Sequence, residues 1–401
     1  MSIPNLDIQQ YDYPLPEEKI ALYPAERGES KLLIFDNQEI KEDKYFNIDK
    51  YLNANSLLIF NETKVVQARL LFPKNENTII ELFCLEPAHN KAIEQALTEK
   101  GSLEYICLIG GARKWKSGLL SIKLAGMTLN VEKIARKEDS FLVRFSWLAD
   151  MSFAEILDLA GKTPLPPYIK RKAEEKDKKT YQTVYANRAG SVAAPTAGLH
   201  FNDAIFNKLE IKGIARNFLT LHVGAGTFKP VSTSIKEHEM HAEEVLVEAS
   251  FIKSILGNLK NGREVISVGT TSLRALESMY WLGCLASAKQ ILNLNEICIP
   301  QWIAFKEQTP RLESTEAFEA CLVLLAENNL EWLSIKTQII IAPGYKHGII
   351  CGLITNFHQP KSTLMLLIAS IVGDDWQKIY QHALSNNFRF LSYGDGCLLK
   401  L

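Results

Sequence analysis

Histidine is the side chain best suited to moving protons near neutral pH, and this chain holds eight of them. His200 closes the run Ser191-Val192-Ala193-Ala194-Pro195-Thr196-Ala197-Gly198-Leu199-His200-Phe201. Small side chains let a backbone approach a ligand or another strand closely. A core helix of this length would be bulkier, and a flexible linker would not carry Val192, Leu199 and Phe201. The run reads as a tightly shaped wall ending in a titratable group, with a buried crossing and a satisfied core histidine as the plainer alternative. His222 lies in Leu221-His222-Val223-Gly224-Ala225-Gly226, where glycines permit close backbone approach. A full GxGxxG pattern would need glycine at 229 and finds Lys229, so a dinucleotide loop is not indicated. His238 and His241 are three apart, with Glu244 three further on, a spacing that would put them on one helical face. HExxH spacing is absent and no further strong ligand is evident, so no metal site is expected.

Two hydroxyl-rich loops suggest where an anion could sit. Glu264 to Val268 reads as a strand, followed by Gly269-Thr270-Thr271-Ser272 and a helix beginning near Leu273-Arg274. Hydroxyls here would cap free helix N–H groups. The same helix end attracts a carboxylate or phosphate, with Arg274 assisting. Asn356-Phe357-His358-Gln359-Pro360-Lys361-Ser362-Thr363 repeats the logic: a strand, a polar loop, then a helix opening at Ser362 or Thr363. If the two loops leave neighbouring strands, they form a crevice of the sort in which α/β proteins bind ligands.

The elements that must position these groups follow from composition and periodicity. The chain has 401 residues, 47% hydrophobic and 23% charged, ordinary for a soluble globular protein with two or three domains. A formal net charge of −1 lends a nucleic-acid partner no support, although a local basic face could supply it. The seven cysteines are odd in number and show no CxxC spacing. A reducing compartment is therefore expected, with neither a disulfide framework nor structural zinc. The opening MSIPNLDIQQ lacks a basic start and an apolar h-region, so no secretory signal is read. The apolar run near Leu364 to Val372 is a core helix, far short of the ~20 residues that cross a bilayer. A cytoplasmic location is the expectation.

Leu32-Leu33-Ile34-Phe35 and Leu57-Leu58-Ile59-Phe60 read as buried strands. From about Val65 to Val143 come short β-like runs at 79–83, 105–109, 119–124, 127–131 and 141–145, with turns at Gly110-Gly111 and Ser117-Gly118. This texture predicts a small antiparallel barrel or sandwich. Helical patterns at 153–159, 204–209 and 273–282 then alternate with strands, which predicts an α/β layer. The fold class expected is thus an α/β core (mixed α+β), residues 1–63 plus 155–401, with an antiparallel β-barrel domain inserted at 64–154. Lys170 to Lys179 reads as a solvated charged loop that could also contact phosphate. Arg113-Lys114-Trp115-Lys116 is a basic, aromatic-bearing loop of the kind that grips an RNA backbone.

Leu165-Pro166-Pro167-Tyr168-Ile169-Lys170-Arg171, Tyr181 to Tyr185, the Ser191 to Phe201 run, Leu221 to Phe228 and His238-Glu239-Met240-His241 stand in the order of one family's signatures. So do Gly269 to Arg274, Pro343-Gly344-Tyr345, Asn356 to Thr363 and Phe390-Leu391-Ser392-Tyr393-Gly394-Asp395. In these blocks the chain resembles the S-adenosylmethionine:tRNA ribosyltransferase-isomerases of queuosine biosynthesis. The resemblance implies an α/β core with an early β-barrel insertion. It also implies transfer of the ribosyl carbons of S-adenosylmethionine onto 7-aminomethyl-7-deazaguanine in a tRNA anticodon of GUN type. Isomerisation then gives epoxyqueuosine, and adenine and methionine leave. S-adenosylmethionine is the co-substrate, no metal or membrane is involved, and a monomer is expected.

The chemistry requires a base at the carbon beside the sulfonium, a donor for departing adenine and a water-poor pocket. Proton-transfer candidates are His200, His222, His241 and His358, and sequence leaves base and acid unassigned among them. Substrate contacts are expected from Tyr168, Lys170, Arg171, Tyr185, Pro195, Thr196, Gly198 and Phe201. Others are Gly224, Gly226, Thr227, Thr270, Thr271, Ser272 and Arg274. Asn356, Lys361, Ser362, Thr363, Tyr393 and Asp395 complete the set. Of these, Tyr168, Tyr185, Phe201 and Tyr393, with Phe228, could stack on a base, although core packing would account for at least half. Arg113, Lys114 and Lys116 are the RNA-binding candidates. The chain departs from the family pattern at Gly110 and Gly111, where an arginine and a proline are usual. Leu391 replaces an aromatic, and residues 280–336 look like an insertion. These departures keep open a related non-catalytic or substrate-shifted RNA-binding paralogue. An ordinary methyltransferase is a weaker reading, because no glycine-rich nucleotide loop of the common type is present.

Overall fold

The structure is a computed structural model and describes residues 4, 6–124, 126–224, 235–291, 293–306 and 309–401. Four apolar segments, Ala215–His222, Ser56–Asn61, Glu264–Val268 and Gly352–Asn356, lie side by side in that order as parallel strands. Every residue of Ser56–Asn61 is buried, as expected of a strand covered on both faces. Leu57 and Ile59 enter one core while Leu58 and Phe60 enter the other, following the two-residue period of a strand. The helices Thr270–Ser287 and Thr363–Val372 cover the first face, and Asp203–Ile211 covers the second.

Antiparallel and mixed strands extend this centre to ten. Gly396–Lys400 pairs antiparallel with Gly352–Asn356, then come Lys31–Asp36 and the charged edge strand Glu39–Lys44. On the other side lie Glu243–Glu248, Trp332–Thr337 and the short Cys298–Ile299. The last two belong to the 280–336 region, so that region builds a sheet edge. It also supplies the helix Ser314–Glu327, which packs on Thr270–Ser287. The approach needs glycine: a Cβ at Gly283 would lie 1.9 Å from Ala317 O.

A second, wholly antiparallel sheet of six strands runs in the order Arg69–Asn75, Thr78–Pro87, Ser102–Gly110, Ser140–Ser146, Met127–Lys137 and Leu120–Leu124. Its first and last strands pack against each other, so the sheet is nearly closed into a barrel. Trp115, Phe145 and Trp147 are buried in its core. Thr63–Val65 and Arg188–Ser191 pair in parallel as a two-stranded ribbon.

Two expectations need correction. Asp177 in the charged segment is fully buried and receives both terminal nitrogens of Arg171 at 2.7 Å, so the segment is anchored and not a free loop. Residues 235–237 form a turn, 238–242 have no regular structure and Glu244 lies on the strand Glu243–Glu248, so His238, His241 and Glu244 do not share a helix.

Candidate functional site

The carboxyl ends of Glu264–Val268 and Gly352–Asn356 lie next to each other, and a cleft of about 80 Å³ opens there. One wall is the backbone and small side chains of Ala193 to Ala197. Opposite stand Thr270 and Thr271 in the first turn of Thr270–Ser287, and the loop Thr355 to Gln359 with Ser362. Tyr168, Leu391 and Ser392 line the remaining side, and Tyr168 Oη shares a 2.6 Å hydrogen bond with Ser392 Oγ. Leu391 adopts φ +67°, a left-handed conformation costly for leucine and found where surroundings over-determine it.

The hydroxyls do not cap the helices. The N-cap of Thr270–Ser287 is Gly269 at φ +93°, without a side-chain cap. Ser272 Oγ instead donates back to Val268 O at 2.7 Å. The helix Thr363–Val372 likewise starts at Ser362 without a side-chain cap, and Ser362 Oγ donates to Gln359 O at 2.7 Å. At the second helix Met365 N already donates to Ser362 O at 3.0 Å, and the amides ahead of it, like those opening the first helix, keep their capacity for an acceptor from the cleft.

Of the four histidines expected to move protons, His358 lines the cleft. Its Nε2 pairs with Thr355 Oγ1 at 2.9 Å. Its backbone is pinned by Tyr380 Oη, which accepts from its amide at 3.1 Å, and by Tyr13 Oη, which donates to its carbonyl. Burial pushes its pKa down to about 3, so the ring is neutral at physiological pH. His200 sits behind the cleft: Asn356 Nδ2, on the cleft surface, donates to His200 Nε2 at 3.0 Å. The His200 ring stacks on Tyr45 with centroids 4.1 Å apart. Burial, with Arg389 and Arg27 nearby, pushes the His200 pKa down to about 3. His222 is buried, with Nδ1 2.9 Å from Thr63 Oγ1, and burial with Arg188 lowers its pKa to about 4. His241 is exposed at an adjoining pocket that also holds Gly224, Arg274 and Thr363.

The cleft therefore gathers Tyr168, Pro195, Thr196, Thr270, Thr271, Asn356, His358 and Ser362. Other candidates are engaged elsewhere. Tyr185 and Phe201 pack edge-to-face on Phe60 at 5.1 and 5.0 Å, away from the cleft. Gly198 exists for that packing, since a Cβ there would lie 1.9 Å from Tyr185 Oη. Tyr393 Oη donates to Asp177 Oδ1 at 3.1 Å. Lys170 pairs with Glu17, Arg171 with Asp177 and Lys361 with Asp12. Asp395 accepts the amides of Lys31 at 3.0 Å and Arg389 at 2.8 Å. Gly226 and Thr227, with Phe228, lie outside the described residues.

Arg113, Lys114 and Lys116 are exposed on the loop joining Ser102–Gly110 to Leu120–Leu124. Trp115 between them is fully buried and donates to Gly118 O at 2.9 Å, so it is core and no stacking platform. Sequence reasoning missed Glu243, Ser392 and the Ile339-Ile340-Ile341 run, all at the cleft or its neighbour. Glu243 carried no local signal because its partner, Arg274, is remote in sequence.

Among the described residues no cluster of three or more His, Cys, Asp or Glu is placed to hold a metal ion, and no helix is long and apolar enough to cross a membrane. The cysteines are free.

The mixed sheet, the barrel-like sheet and a crevice at the carboxyl ends of parallel strands define a mixed α/β protein whose crevice lies where such folds commonly place a ligand. The profile of the family described as "Queuosine biosynthesis protein" matches residues 8–399, and the chain belongs to that family. It is 34% identical over 398 residues, 98% of this chain and 98% of the relative, to the S-adenosylmethionine:tRNA ribosyltransferase-isomerase of Azoarcus sp. (strain BH72). With the enzyme of the same name from Halothermothrix orenii it shares 35% identity over 400 residues, 98% of this chain and 100% of the relative. The crystal structure of S-adenosylmethionine tRNA ribosyltransferase from Thermotoga maritima covers 97% of this chain and 99% of its own, at 23% identity and a TM-score of 0.45.

Proposed function

We propose that this protein uses S-adenosylmethionine as a ribosyl donor to tRNA. It transfers and isomerises the ribosyl carbons onto 7-aminomethyl-7-deazaguanine in the anticodon, gives epoxyqueuosine, and releases adenine and methionine. The observation that carries this reading is the relation to curated enzymes of that name along 98% of the chain. The cleft supports it: its walls come from the same blocks that carry the sequence resemblance.

Within the cleft, His358 is the proton acceptor. It reaches the cleft and is oriented through both its ring and its backbone. It would take the proton from the carbon beside the sulfonium, whose acidity the positive sulfur raises. His200 acts as a positioning residue, holding the Asn356 amide against the cleft. Thr270, Thr271 and the adjacent helix amides would bind substrate oxygens. Residues 64–154 form an inserted domain whose loop, with Arg113, Lys114 and Lys116, meets tRNA phosphates.

The test supplies S-adenosylmethionine and tRNA carrying the precursor base, and measures free adenine and methionine. Both products should form in equal amounts, and His358→Ala should slow them by about 10²–10⁴-fold, the usual share of a general base. RNA methylation without adenine would overturn the assignment. Unchanged turnover in His358→Ala would remove that residue from its role.

A further inference from the structure

Leu364 separates the cleft from a second pocket, which the proton transfer above does not use. At its base is a buried ion pair: Arg274 Nη1 donates to Glu243 Oε2, and Arg274 Nε donates to Ile339 O at 3.2 Å. Arg274 Nη2 is buried and makes no hydrogen bond, on a side chain only 8% exposed that lines the pocket. A charged donor of this kind is costly to bury unless an acceptor meets it. The helix Thr363–Val372 opens onto the same pocket through Thr363, adding first-turn amides that favour an anion.

The surroundings select which anion. Arg274 is already neutralised by Glu243, so a dianionic phosphate would meet a carboxylate with little net positive charge to hold it. A carboxylate bearing an ammonium group one carbon away fits both partners, with its oxygens at Arg274 Nη2 and its nitrogen beside Glu243. Met240, Ile340, Ile341 and Leu367 give the pocket apolar walls, suited to a short thioether chain. Leu364 lines both spaces, so the two lie side by side at the same helix start.

We propose that this pocket binds an α-amino-acid zwitterion, namely the methionine end of S-adenosylmethionine, with the ribose and adenine in the cleft beyond Leu364. This rests on the ribosyl-donor reading above. It also gives Arg274 a task distinct from assisting an anion at the Thr270 helix end: it fixes the amino-acid tail.

The test is calorimetric titration of the full chain with L-methionine and with 3-(methylthio)propylamine, which lacks only the carboxylate. The expected result is binding of methionine at least about tenfold tighter than the amine in the wild type. In Arg274→Gln the two should become equal through loss of methionine affinity. Should that variant fail to fold, Met240→Trp narrows the pocket from a half-buried position and should abolish methionine binding without touching the ion pair. The proposal is overturned if the wild type fails to bind methionine or binds the two probes alike. It is equally overturned if Arg274→Gln keeps the wild-type ratio, or if Met240→Trp binds methionine as the wild type does. Adenine release, measured on the same preparation, judges the reaction separately. Turnover with no preference for the carboxylate rejects only the pocket, whereas carboxylate-selective binding without adenine release rejects only the reaction.

Discussion

The variant Gly198→Ala tests how the wall of the cleft is shaped. The added Cβ would lie 1.9 Å from Tyr185 Oη, 2.9 Å from Tyr185 Cζ and 3.0 Å from Thr183 Cγ2. Ordinary contact is about 3.5–4.0 Å, so the tyrosine must retreat by roughly 1.5 Å. It has little room, because its ring is wedged among Phe60, Phe218 and Phe206 at centroid distances of 5.1, 5.3 and 6.0 Å. Overpacking of this kind costs about 1–3 kcal/mol, and the rigid aromatic surround places Gly198→Ala at the upper end. Tyr185→Phe removes the clashing oxygen, which is buried without a well-formed hydrogen bond. By itself it should change stability by no more than about 1 kcal/mol. The double variant should then recover at least about 1 kcal/mol of the loss, well above the ~0.3–0.5 kcal/mol scatter of additive pairs. Urea unfolding of the four proteins gives the coupling energy directly. Adenine release should follow the same order, because Ala197, one residue away, lines the cleft. A coupling energy of zero would refute the claim that Gly198 is required by Tyr185.

Two other perturbations probe regions away from the wall. Glu277 is fully buried and accepts from Tyr345 Oη at 2.5 Å. Burial, only partly opposed by that hydrogen bond and by Arg311, raises its pKa to about 7 from an ordinary 4.5. The folded state therefore holds a proton that the unfolded chain releases, so this stability is complete below pH 4.5 and drains away as pH rises through about 7. Glu277→Gln should match the wild type at pH 4 and exceed it by order 1–3 kcal/mol at pH 8, read as thermal midpoints; a difference independent of pH would contradict the assignment. Replacing Arg113, Lys114 and Lys116 together by Ala should raise KM for tRNA and leave that for S-adenosylmethionine unchanged. The slope of log affinity against log salt should flatten by ~0.7–0.9 for each phosphate that the variant no longer neutralises, and an unaltered slope would remove this loop from the RNA interface.

Much of the architecture was legible because it rests on local periodicity. The helix read at 273–282 extends over Thr270–Ser287, and the run at 153–159 becomes Phe153–Ala160. The strand Arg69–Asn75 escaped notice because Pro73 and Lys74 interrupt its pattern. The crevice between the loops after Val268 and Asn356 was also legible, since a strand, a polar loop and a helix recur at both places. What each side chain does there was less so, because it depends on partners remote in sequence. His200 reads as the reactive end of a small-residue run, yet Tyr45 and Asn356 turn it into a support. Arg171 reads as a substrate contact at the start of a solvated loop until Asp177 is seen buried beneath it. Trp115 looks like a stacking surface, and only the closure of the six-stranded sheet puts it inside.

The pairing of the large sheet also dictates an order of assembly. Ser56–Asn61 finds its two neighbours only at Ala215–His222 and Glu264–Val268, and Lys31–Asp36 is separated from the interior by Gly396–Lys400. During synthesis Ser56–Asn61 is made long before either neighbour, and Lys31–Asp36 can pair early with Glu39–Lys44 while its other edge waits for Gly396–Lys400; each carries Leu-Leu-Ile-Phe. The six-stranded sheet, by contrast, draws all its strands from residues 69–146 and can close from short-range pairings while the rest is still emerging. The nascent chain should thus carry a finished barrel beside one unpaired apolar strand, Ser56–Asn61, and one half-paired, Lys31–Asp36. That interval is when the protein is most exposed to aggregation and most dependent on chaperones.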